Sequence, residues 1–129
     1  MKTNWNELFK INTTNPDESR DKHEVVKLLL VRRLLKKYKR SNMIRIYTEF
    51  RLDNGLISDV YFENLRTKEV YAFEIQKDFT KEWLQNMKEK YLQIEIPFMT
   101  FDFIPIDLNK FSENISEINK QLEEYMIWI

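Results

Sequence analysis

The sequence predicts an α/β fold in which helices flank a mixed four-stranded sheet, in the order α-β-β-β-α-β-α. A long segment with apolar residues at helical spacing comes first, and three segments that alternate apolar and polar residues follow it. Two amphipathic helical segments then bracket one more apolar strand. The 129 residues suffice for a single domain, residues 1–129, with a core over about 20–106 and a C-terminal helix over about 112–129.

The first long helix is predicted over Ser19–Lys39, after a polar segment, residues 1–18, that forms a short helix and ends in a proline-containing break. Its apolar residues recur at helical spacing, so we expect them to face the sheet. This stripe consists of Leu28, Val31, Leu35 and Tyr38, widened by Leu30 and Leu34. Basic residues fill the last turns, where they either form a solvated helix end that complements the helix dipole or contribute to a basic surface.

The remaining elements are separated by polar loops, and the first of these loops contains the only glycine. The fourth strand is apolar enough to be buried on both faces. The last helix has one apolar side, which either packs on the sheet as core or forms a dimer contact. The predicted elements are strands Met43–Leu52, Leu56–Phe62 and Val70–Lys77, a helix Thr80–Gln93 capped by Asp78 or Thr80, a strand Met99–Ile106, and a final helix capped by Ser112.

Composition excludes several kinds of site. Because the chain has no cysteine and one histidine, it cannot form disulfides, thiolate metal sites or a multi-histidine zinc centre within one chain. It has no apolar run of about 20 residues and no signal-peptide pattern, so we expect an intracellular protein without a membrane partner. A net charge of zero argues weakly against nucleic acid. However, residues 20–51 are strongly basic and residues 102–129 are acidic, which permits one basic surface and one acidic one.

The first hairpin closes around Asp53–Gly55, and two registers are open to it. A two-residue loop pairs Phe50 with Asp59, whereas a three-residue loop with a left-handed glycine pairs Phe50 with Ser58. Because a one-residue slip exchanges the faces of a strand, the apolar pattern distinguishes the two registers. Only the three-residue loop keeps apolar residues together, and it sets Glu49 directly opposite Asp59.

The second hairpin is constrained in the same way. Pairing Phe62 with Tyr71 keeps apolar residues facing one another across the two strands. That register sets Asp59 opposite Glu74 and brings Gln76 to the same face as both acids. The sequence therefore predicts a cluster of oxygen-bearing side chains on one face of the sheet.

Three carboxylates, those of Glu49, Asp59 and Glu74, are thus expected side by side across three strands. Facing Cβ atoms in a sheet lie about 4.5–5.5 Å apart, and like charges at that distance destabilise the pairing. We therefore expect a compensating cation, for which Mg²⁺ (or Mn²⁺) suits hard oxygen ligands. Alternatively, these acids face water, and Arg45 and Arg51 neutralise Glu49 by cross-strand pairing.

The element order α-β-β-β-α-β, with Asp59 followed after fourteen residues by Glu74-Ile75-Gln76 on the next strand, resembles the PD-(D/E)XK nuclease superfamily and its restriction-endonuclease-like core. The resemblance covers about residues 20–106. The small size and the leading helix are most similar to Holliday junction resolvases of archaeal type and to related viral or plasmid nucleases. Those proteins carry an acid on the first helix, and Glu24 is the matching position. Alternatively, Glu24 is only a favourable first-turn charge.

The resemblance implies a metal-dependent endonuclease that hydrolyses DNA, including branched or junction DNA. Asp59 and Glu74 would bind Mg²⁺ or Mn²⁺ with the main-chain carbonyl of Ile75 as a further ligand, and Gln76 would hold the attacking water. Glu49 or Glu24 would accept its proton, unless the phosphate or bulk water does.

Two positions depart from the superfamily pattern. Ser58 replaces a proline before the first acid, and Gln76 replaces the usual lysine. Strand alternation puts the adjacent Lys77 on the opposite face, so Lys81 or Lys22 would have to supply a lysine.

The basic residues expected to hold the phosphate backbone are Lys22, Arg45, Arg51 and Lys81. Cutting two symmetric strands of a junction also implies a twofold homodimer. Two other functions remain open at this point: a nuclease-fold module that binds nucleic acid without cleaving it, for which Gln76 is the main reason, and a protein-interaction domain, which zero net charge allows.

Overall fold

The computed structural model describes residues 2–3, 18–39 and 42–126. The short helix expected within residues 1–18 and the apolar C-terminal residues 127–129 lie outside these ranges. None of the helices within them combines the length and the apolar character needed to cross a bilayer. The elements are α1 (Glu18–Tyr38), β1 (Ile44–Arg51), β2 (Ile57–Asn64), β3 (Glu69–Gln76), α2 (Lys81–Leu92), β4 (Thr100–Asp107), a 3₁₀ turn (Leu108–Lys110) and α3 (Ile115–Tyr125). The predicted α/β class and element order are confirmed.

The sheet is mixed and has the spatial order β1-β2-β3-β4. The first three strands form an antiparallel meander, and β4 runs parallel to β3 after the crossover through α2. Because β4 is an edge strand, most of it is half-buried or exposed, and only Ile106 is fully inside. The expectation that this strand is buried on both faces is wrong, since apolar composition does not show whether a strand lies at the edge or the centre of a sheet.

An apolar core lies on each face of the sheet. The larger core lies between the sheet, α1 and α3, and it contains Val60, Phe62 and Phe73. The smaller core lies under α2 and contains Tyr61 and Ala72. Neighbouring residues of β2 and β3 therefore enter opposite cores, as strand alternation requires when helices cover both faces.

Helix α1 buries only part of the apolar stripe that we predict, since Val31 and Tyr38 pack against the larger core but other members of the stripe do not. Val26, Leu30 and Leu34 have no exposed surface and form part of the larger core. Leu28 and Leu35, which were expected to face the sheet, are exposed, Leu28 by 57%. The two leucine sets follow the same helical period on adjacent faces, so periodicity alone cannot distinguish them and packing against the sheet decides.

The first hairpin has the predicted three-residue loop. Leu52 N–H donates to the carbonyl of Leu56 at 2.7 Å, and Gly55 N–H donates to the carbonyl of Leu52 at 2.9 Å. The register pairs Phe50 with Ser58, as expected. Gly55 has a φ of 87°, a left-handed conformation that residues with a Cβ rarely adopt.

Replacing Gly55 with alanine should therefore destabilise the protein by about 1 kcal/mol. A Cβ at this position meets no atom within 4 Å, so the whole cost arises from the backbone conformation and none from a clash. Gly55→Asn is the matched control and should cost less, because asparagine tolerates left-handed φ. Urea unfolding of the three proteins measures the difference, and equal stability of Gly55→Ala and the parent would contradict the assignment.

Strand alternation is interrupted at Glu49, whose φ of 51° is left-handed. Before this residue, Ile44 and Ile46 pack against the larger core, whereas after it Phe50 packs against the smaller one. The strict alternation predicted over Met43–Leu52 would have put all three on one face. A left-handed residue turns the chain over, so the two halves of β1 present their apolar side chains to opposite cores.

Helix α3 packs on the sheet as core. Ile118, Leu122 and Met126 are buried in the larger core, so of the two roles left open for this helix the core role is confirmed over its described part. Its cap is Asn114, whose side chain accepts hydrogen bonds from the first-turn amides, and not Ser112 as expected. The Ser112 hydroxyl instead accepts a hydrogen bond from the Asn114 N–H at 3.0 Å, which supports the cap from outside the helix.

The acidic C-terminal segment meets the basic helix α1, so the two do not form wholly separate charged surfaces. Arg33 Nε donates to Asn119 Oδ1 at 3.0 Å, and its Nη1 lies 3.7 Å from a carboxylate oxygen of Glu123. Lys37 Nζ donates to the main-chain carbonyl of Met126 at 2.6 Å. Part of the positive charge that suggested a binding surface thus holds α1 and α3 together.

Candidate functional site

Strands β2 and β3 separate at one end, and a carboxylate fills the gap. Their ladder has the predicted register and stops at the pair Val60–Phe73. Beyond it, Asp59 Oδ2 accepts a hydrogen bond from the Ile75 N–H at 2.7 Å. Asp59 therefore binds the backbone of β3, and it does not face Glu74 in the ladder pair that we predicted.

A cleft of about 380 Å³ opens at this end of the sheet, beside α1 and the 3₁₀ turn. Four of its lining residues are those that we expected to bind the metal or to hold the attacking water, namely Asp59, Glu74, Ile75 and Gln76. The two carboxylates and the amide thus reach one solvent-filled space from neighbouring strands. The other lining residues are Arg20, His23, Lys77 and Leu108.

Lys77 lines the cleft together with Gln76, whereas alternation had assigned it to the opposite face. Strand β3 ends at Gln76, so the alternation that relates neighbouring residues of a strand does not extend to the next position. A lysine therefore borders the cleft one residue after the position at which the PD-(D/E)XK pattern carries one.

Glu74 has the most perturbed carboxyl group of the cleft. Burial raises the pKa of Glu74 to about 7, and the negative charges of Asp59 and Glu49 add to the shift. The phenol of Tyr91 opposes it by donating a hydrogen bond to Glu74 Oε1 at 2.7 Å. Tyr91 is itself buried and stacks on Phe103 with ring centroids 4.4 Å apart, which fixes the hydroxyl. No lysine, arginine or histidine in the described ranges forms an ion pair with Glu74.

His23, the only histidine of the chain, lies between two acids. Its Nε2 is 3.3 Å from Asp59 Oδ2, and its Nδ1 is 3.5 Å from Glu24 Oε1. The hydrogen bond to Asp59 raises the pKa of His23, although burial opposes the shift. Glu24 is thus connected to the cleft through His23, and it does not itself line the cleft as the predicted helix face implied.

Lys27 binds the two remaining acids of the predicted cluster. Its Nζ lies 2.7 Å from Glu24 Oε2 and 2.7 Å from Glu49 Oε1. Burial opposes the charged ammonium, but the two hydrogen bonds outweigh it and raise the pKa of Lys27. Glu49 therefore turns to α1 and forms no ladder pair with Asp59. The expectation of three carboxylates side by side is wrong, because the left-handed backbone at Glu49 redirects its side chain.

The four basic residues assigned to phosphate binding have different surroundings. Lys22 is buried, and its ammonium donates to the main-chain carbonyl of Phe111 at 2.8 Å, so it stabilises the fold and cannot reach a ligand. Arg45 and Arg51 are exposed on β1, and neither forms an ion pair with Glu49. Lys81 is exposed at the first turn of α2 and does not line the cleft.

The donor atoms of the cleft fit a hard divalent cation held by two carboxylates. Within the described ranges, no group of three or more histidine, aspartate or glutamate side chains is arranged around one point. Asp59 and Glu74 nevertheless share the cleft, and burial together with the negative charges of Asp59 and Glu49 makes the ionised form of Glu74 costly. Mg²⁺ commonly binds one or two carboxylates and completes its shell with water and substrate phosphate, which is the set available here.

Three residues of the site were not predicted from the sequence: His23, Lys27 and Tyr91. Each approaches the sheet from a helix, and strand register says nothing about contacts between helices and a sheet. A signal for two of them was present, because His23 and Lys27 are four residues apart and lie beside Glu24 on one side of α1. No comparable pattern marks Tyr91.

No family model matches the chain, and neither a curated protein nor a solved structure resembles it at a significant level. Function is therefore inferred from the residues of the cleft.

Proposed function

We propose that the protein is a metal-dependent nuclease that hydrolyses DNA phosphodiester bonds in the cleft formed by Asp59 and Glu74. One observation carries the proposal: carboxylates from two neighbouring strands share a cleft in which burial and mutual repulsion raise the pKa of Glu74 to about 7. A pair of this kind gains stability from a divalent ion. Arg20 and Lys77 line the same cleft and complement the charge of a phosphate.

Mg²⁺ or Mn²⁺ would be held by Asp59, Glu74 and the main-chain carbonyl of Ile75. Such an ion lowers the pKa of water and neutralises the charge that develops on the phosphoryl oxygens. Asp59 offers its oxygens from a fixed position, because the Ile75 N–H holds one of them at 2.7 Å. Tyr91 fixes Glu74 in the same way through its hydroxyl.

The remaining polar groups of the cleft orient the reactants. Gln76 would hold the attacking water by a hydrogen bond, because a neutral amide cannot accept its proton. The hydrogen bond to Asp59 raises the pKa of His23, and the imidazolium, when formed, offsets negative charge near the substrate. Since Glu24 and Glu49 are both bound to Lys27, we assign neither as the proton acceptor, and bulk water or the phosphate itself takes the proton.

A nucleic-acid-binding module without hydrolytic activity is the second candidate, and specific contacts favour it. Lys27 and His23 bind Glu24, Glu49 and Asp59, so most of the acidic charge already has a cation within the protein. In addition, Gln76 occupies the position at which the PD-(D/E)XK superfamily usually carries a lysine. If these ion pairs are permanent, the cleft binds phosphate without cleaving the bond.

A cleavage panel separates the two candidates. The substrates are supercoiled plasmid, a four-way junction, a flap, a linear duplex and single-stranded RNA, each with Mg²⁺ or Mn²⁺. We expect the parent protein to nick DNA, and Asp59→Asn to lower the rate at least about 100-fold, the size of effect seen when one charge-stabilising group is lost. Asp102→Asn is the matched control, because Asp102 is exposed on β4 outside the cleft and should cleave as the parent does.

The other outcomes are equally specific. Cleavage by Asp59→Asn at the parental rate would exclude this cleft as the hydrolytic site. Binding of DNA that weakens with salt, without cleavage by any protein, would select the non-hydrolytic module. Light scattering of the parent tests the homodimer that cutting a symmetric junction would require.

A further inference from the structure

Three aromatic rings form a stack on the α2-facing side of β1 and β2, and the stack ends at an exposed ring. Phe50 stacks on Tyr61 with centroids 4.2 Å apart, and Tyr47 stacks on Phe50 with centroids 5.3 Å apart. Tyr61 is buried, whereas Tyr47 is 42% exposed. The outermost ring is thus supported from below by two others and presents surface to solvent.

Tyr47 is only partly covered by the residues that the structure describes. Helix α2 packs over the half of the sheet that contains β4, where Tyr91 stacks on Phe101 and Phe103. Strand β1 lies at the opposite edge of the sheet, where Phe50 still packs against the core under α2 but Tyr47 keeps 42% of its surface exposed. The left-handed backbone at Glu49 brings Phe50 to the same side as Tyr47, which strict alternation would not do.

One arginine accompanies the stack. Arg45 precedes Tyr47 by two residues in the regular part of β1, so both lie on the same face. A groove of about 390 Å³ beside the stack is lined by Phe50 and Tyr61. Arg51 also borders this groove, but its neighbours Phe50 and Leu52 both pack in the smaller core, so strand alternation turns the Arg51 side chain to the opposite face. In the part of the chain that the structure describes, neither guanidinium has an ion-pair partner.

Acidic residues limit the size of this positive surface. Glu63 is the cross-strand partner of Arg45, and Asp53 and Glu95 also line the groove. The charges therefore suit contact with a single phosphate and do not form a long basic track. A duplex, which presents a continuous row of phosphates and hides its base faces, matches such a surface poorly.

We propose that Tyr47 is a stacking platform for a base of single-stranded nucleic acid, whose flanking phosphate binds Arg45. Bases without a stacked neighbour bind exposed aromatic rings regardless of sequence, and an arginine beside the ring holds the backbone. The inference deepens the proposed nuclease function, on which it rests, by naming unpaired nucleotides as the substrate class. Flaps, splayed junction arms and single strands provide such nucleotides, whereas an intact duplex does not.

The platform lies close to the cleft. Tyr61, the innermost ring of the stack, follows Asp59 by two residues on β2, a separation of about 7 Å along an extended strand. Tyr47 is the cross-strand partner of Tyr61. A nucleotide stacked on Tyr47 is therefore only a few nucleotides of chain from a phosphate in the cleft.

Fluorescence anisotropy with a labelled oligothymidylate, and with an abasic oligonucleotide of the same length and charge, tests the platform without Mg²⁺. We expect the parent to bind the oligothymidylate more tightly, and Tyr47→Ala to lose about 10-fold in affinity for it while binding the abasic strand unchanged. Tyr47→Phe keeps the ring and should bind as the parent does. The salt dependence should be shallow, with a slope near −1 for one phosphate.

Phe98→Ala is the matched control, because Phe98 is 92% exposed and lies outside the stack. An equal loss of affinity in Tyr47→Ala and Phe98→Ala would overturn the platform, as would equal affinity of the parent for both strands. A change from dimer to monomer in Tyr47→Ala, with unchanged oligonucleotide affinity, would also overturn it and assign the surface to a second copy of the chain. Tyr47-dependent binding by a parent that cleaves nothing would support the platform while refuting the nuclease.

Discussion

Truncation of Leu30 to alanine should destabilise the protein by about 2–5 kcal/mol, a large part of the stability of a domain this size. Leu30 has no exposed surface and packs in the larger core between α1, α3 and the sheet. Removing its isobutyl group leaves a cavity that the surrounding side chains fill only in part. Urea unfolding followed by circular dichroism measures the loss.

Leu28→Ala is the matched control, since it changes the same residue type two positions earlier in the same helix. Leu28 is 57% exposed, so its truncation should change the free energy of unfolding by no more than about 0.5 kcal/mol. Helix propensity affects both variants alike, because both substitutions are leucine to alanine. A larger loss for Leu28 than for Leu30 would mean that α1 turns the side with Leu28 and Leu35 to the sheet.

Stability should fall as the pH rises from about 5 to 8, by up to about 3 kcal/mol. The pKa of Glu74 is raised from 4.5 to about 7 on folding, chiefly by burial. Below pH 4.5, the pKa of this carboxyl in the unfolded chain, both the folded and the unfolded state hold the proton. Above a pH of about 7 both states have lost it, and the folded state then bears the cost of a buried negative charge. The folded protein therefore binds the proton more tightly than the unfolded chain does. As a result, the free energy of unfolding falls as the pH rises from 4.5 to about 7.

His23 contributes in the same direction at slightly higher pH. Its pKa is raised on folding by the hydrogen bond to Asp59, so its stabilising charge is fully present below the unfolded value of 6.5 and is lost as the pH rises through the folded one. Both groups predict a protein that is more stable at pH 5.5 than at pH 8.

Glu74→Gln identifies the source of this dependence. The amide keeps the shape of the side chain and can still accept the hydrogen bond of Tyr91, but it has no charge to bury. We expect the variant to be more stable than the parent at pH 8 and to lose most of the slope between pH 5 and 7. Added Mg²⁺ should raise the stability of the parent at pH 8 and leave Glu74→Gln nearly unchanged. An unchanged slope in Glu74→Gln would assign the dependence to other groups.

The order and register of the elements could be predicted because they depend on local patterns. A single glycine after Asp53-Asn54 and the apolar alternation of the flanking strands define the first hairpin, and the pair Phe62–Tyr71 defines the second. These patterns carry information about neighbours along the chain and across one ladder. They do not reveal which face of α1 is buried, since Leu28 and Leu30 fit the helical period equally well.

The site could be predicted only as far as the strands determine it. Asp59, Glu74 and Gln76 do reach one cleft, because two neighbouring strands carry them to the same end of the sheet. Glu49 does not join them, since its backbone is left-handed and its carboxylate binds Lys27. A positive φ at a glutamate leaves no periodic signal in sequence, and neither does the contact that Tyr91 makes from its helix.

The left-handed residue in β1, Glu49, also affects the self-association of the protein. An edge strand offers unpaired amide and carbonyl groups on which a foreign strand can assemble, and such growth leads to fibrils. At Glu49 the backbone leaves the extended conformation, so the open edge is cut into two short pieces that provide no continuous template. A backbone irregularity in β1 thereby disfavours ordered strand-on-strand assembly at this edge.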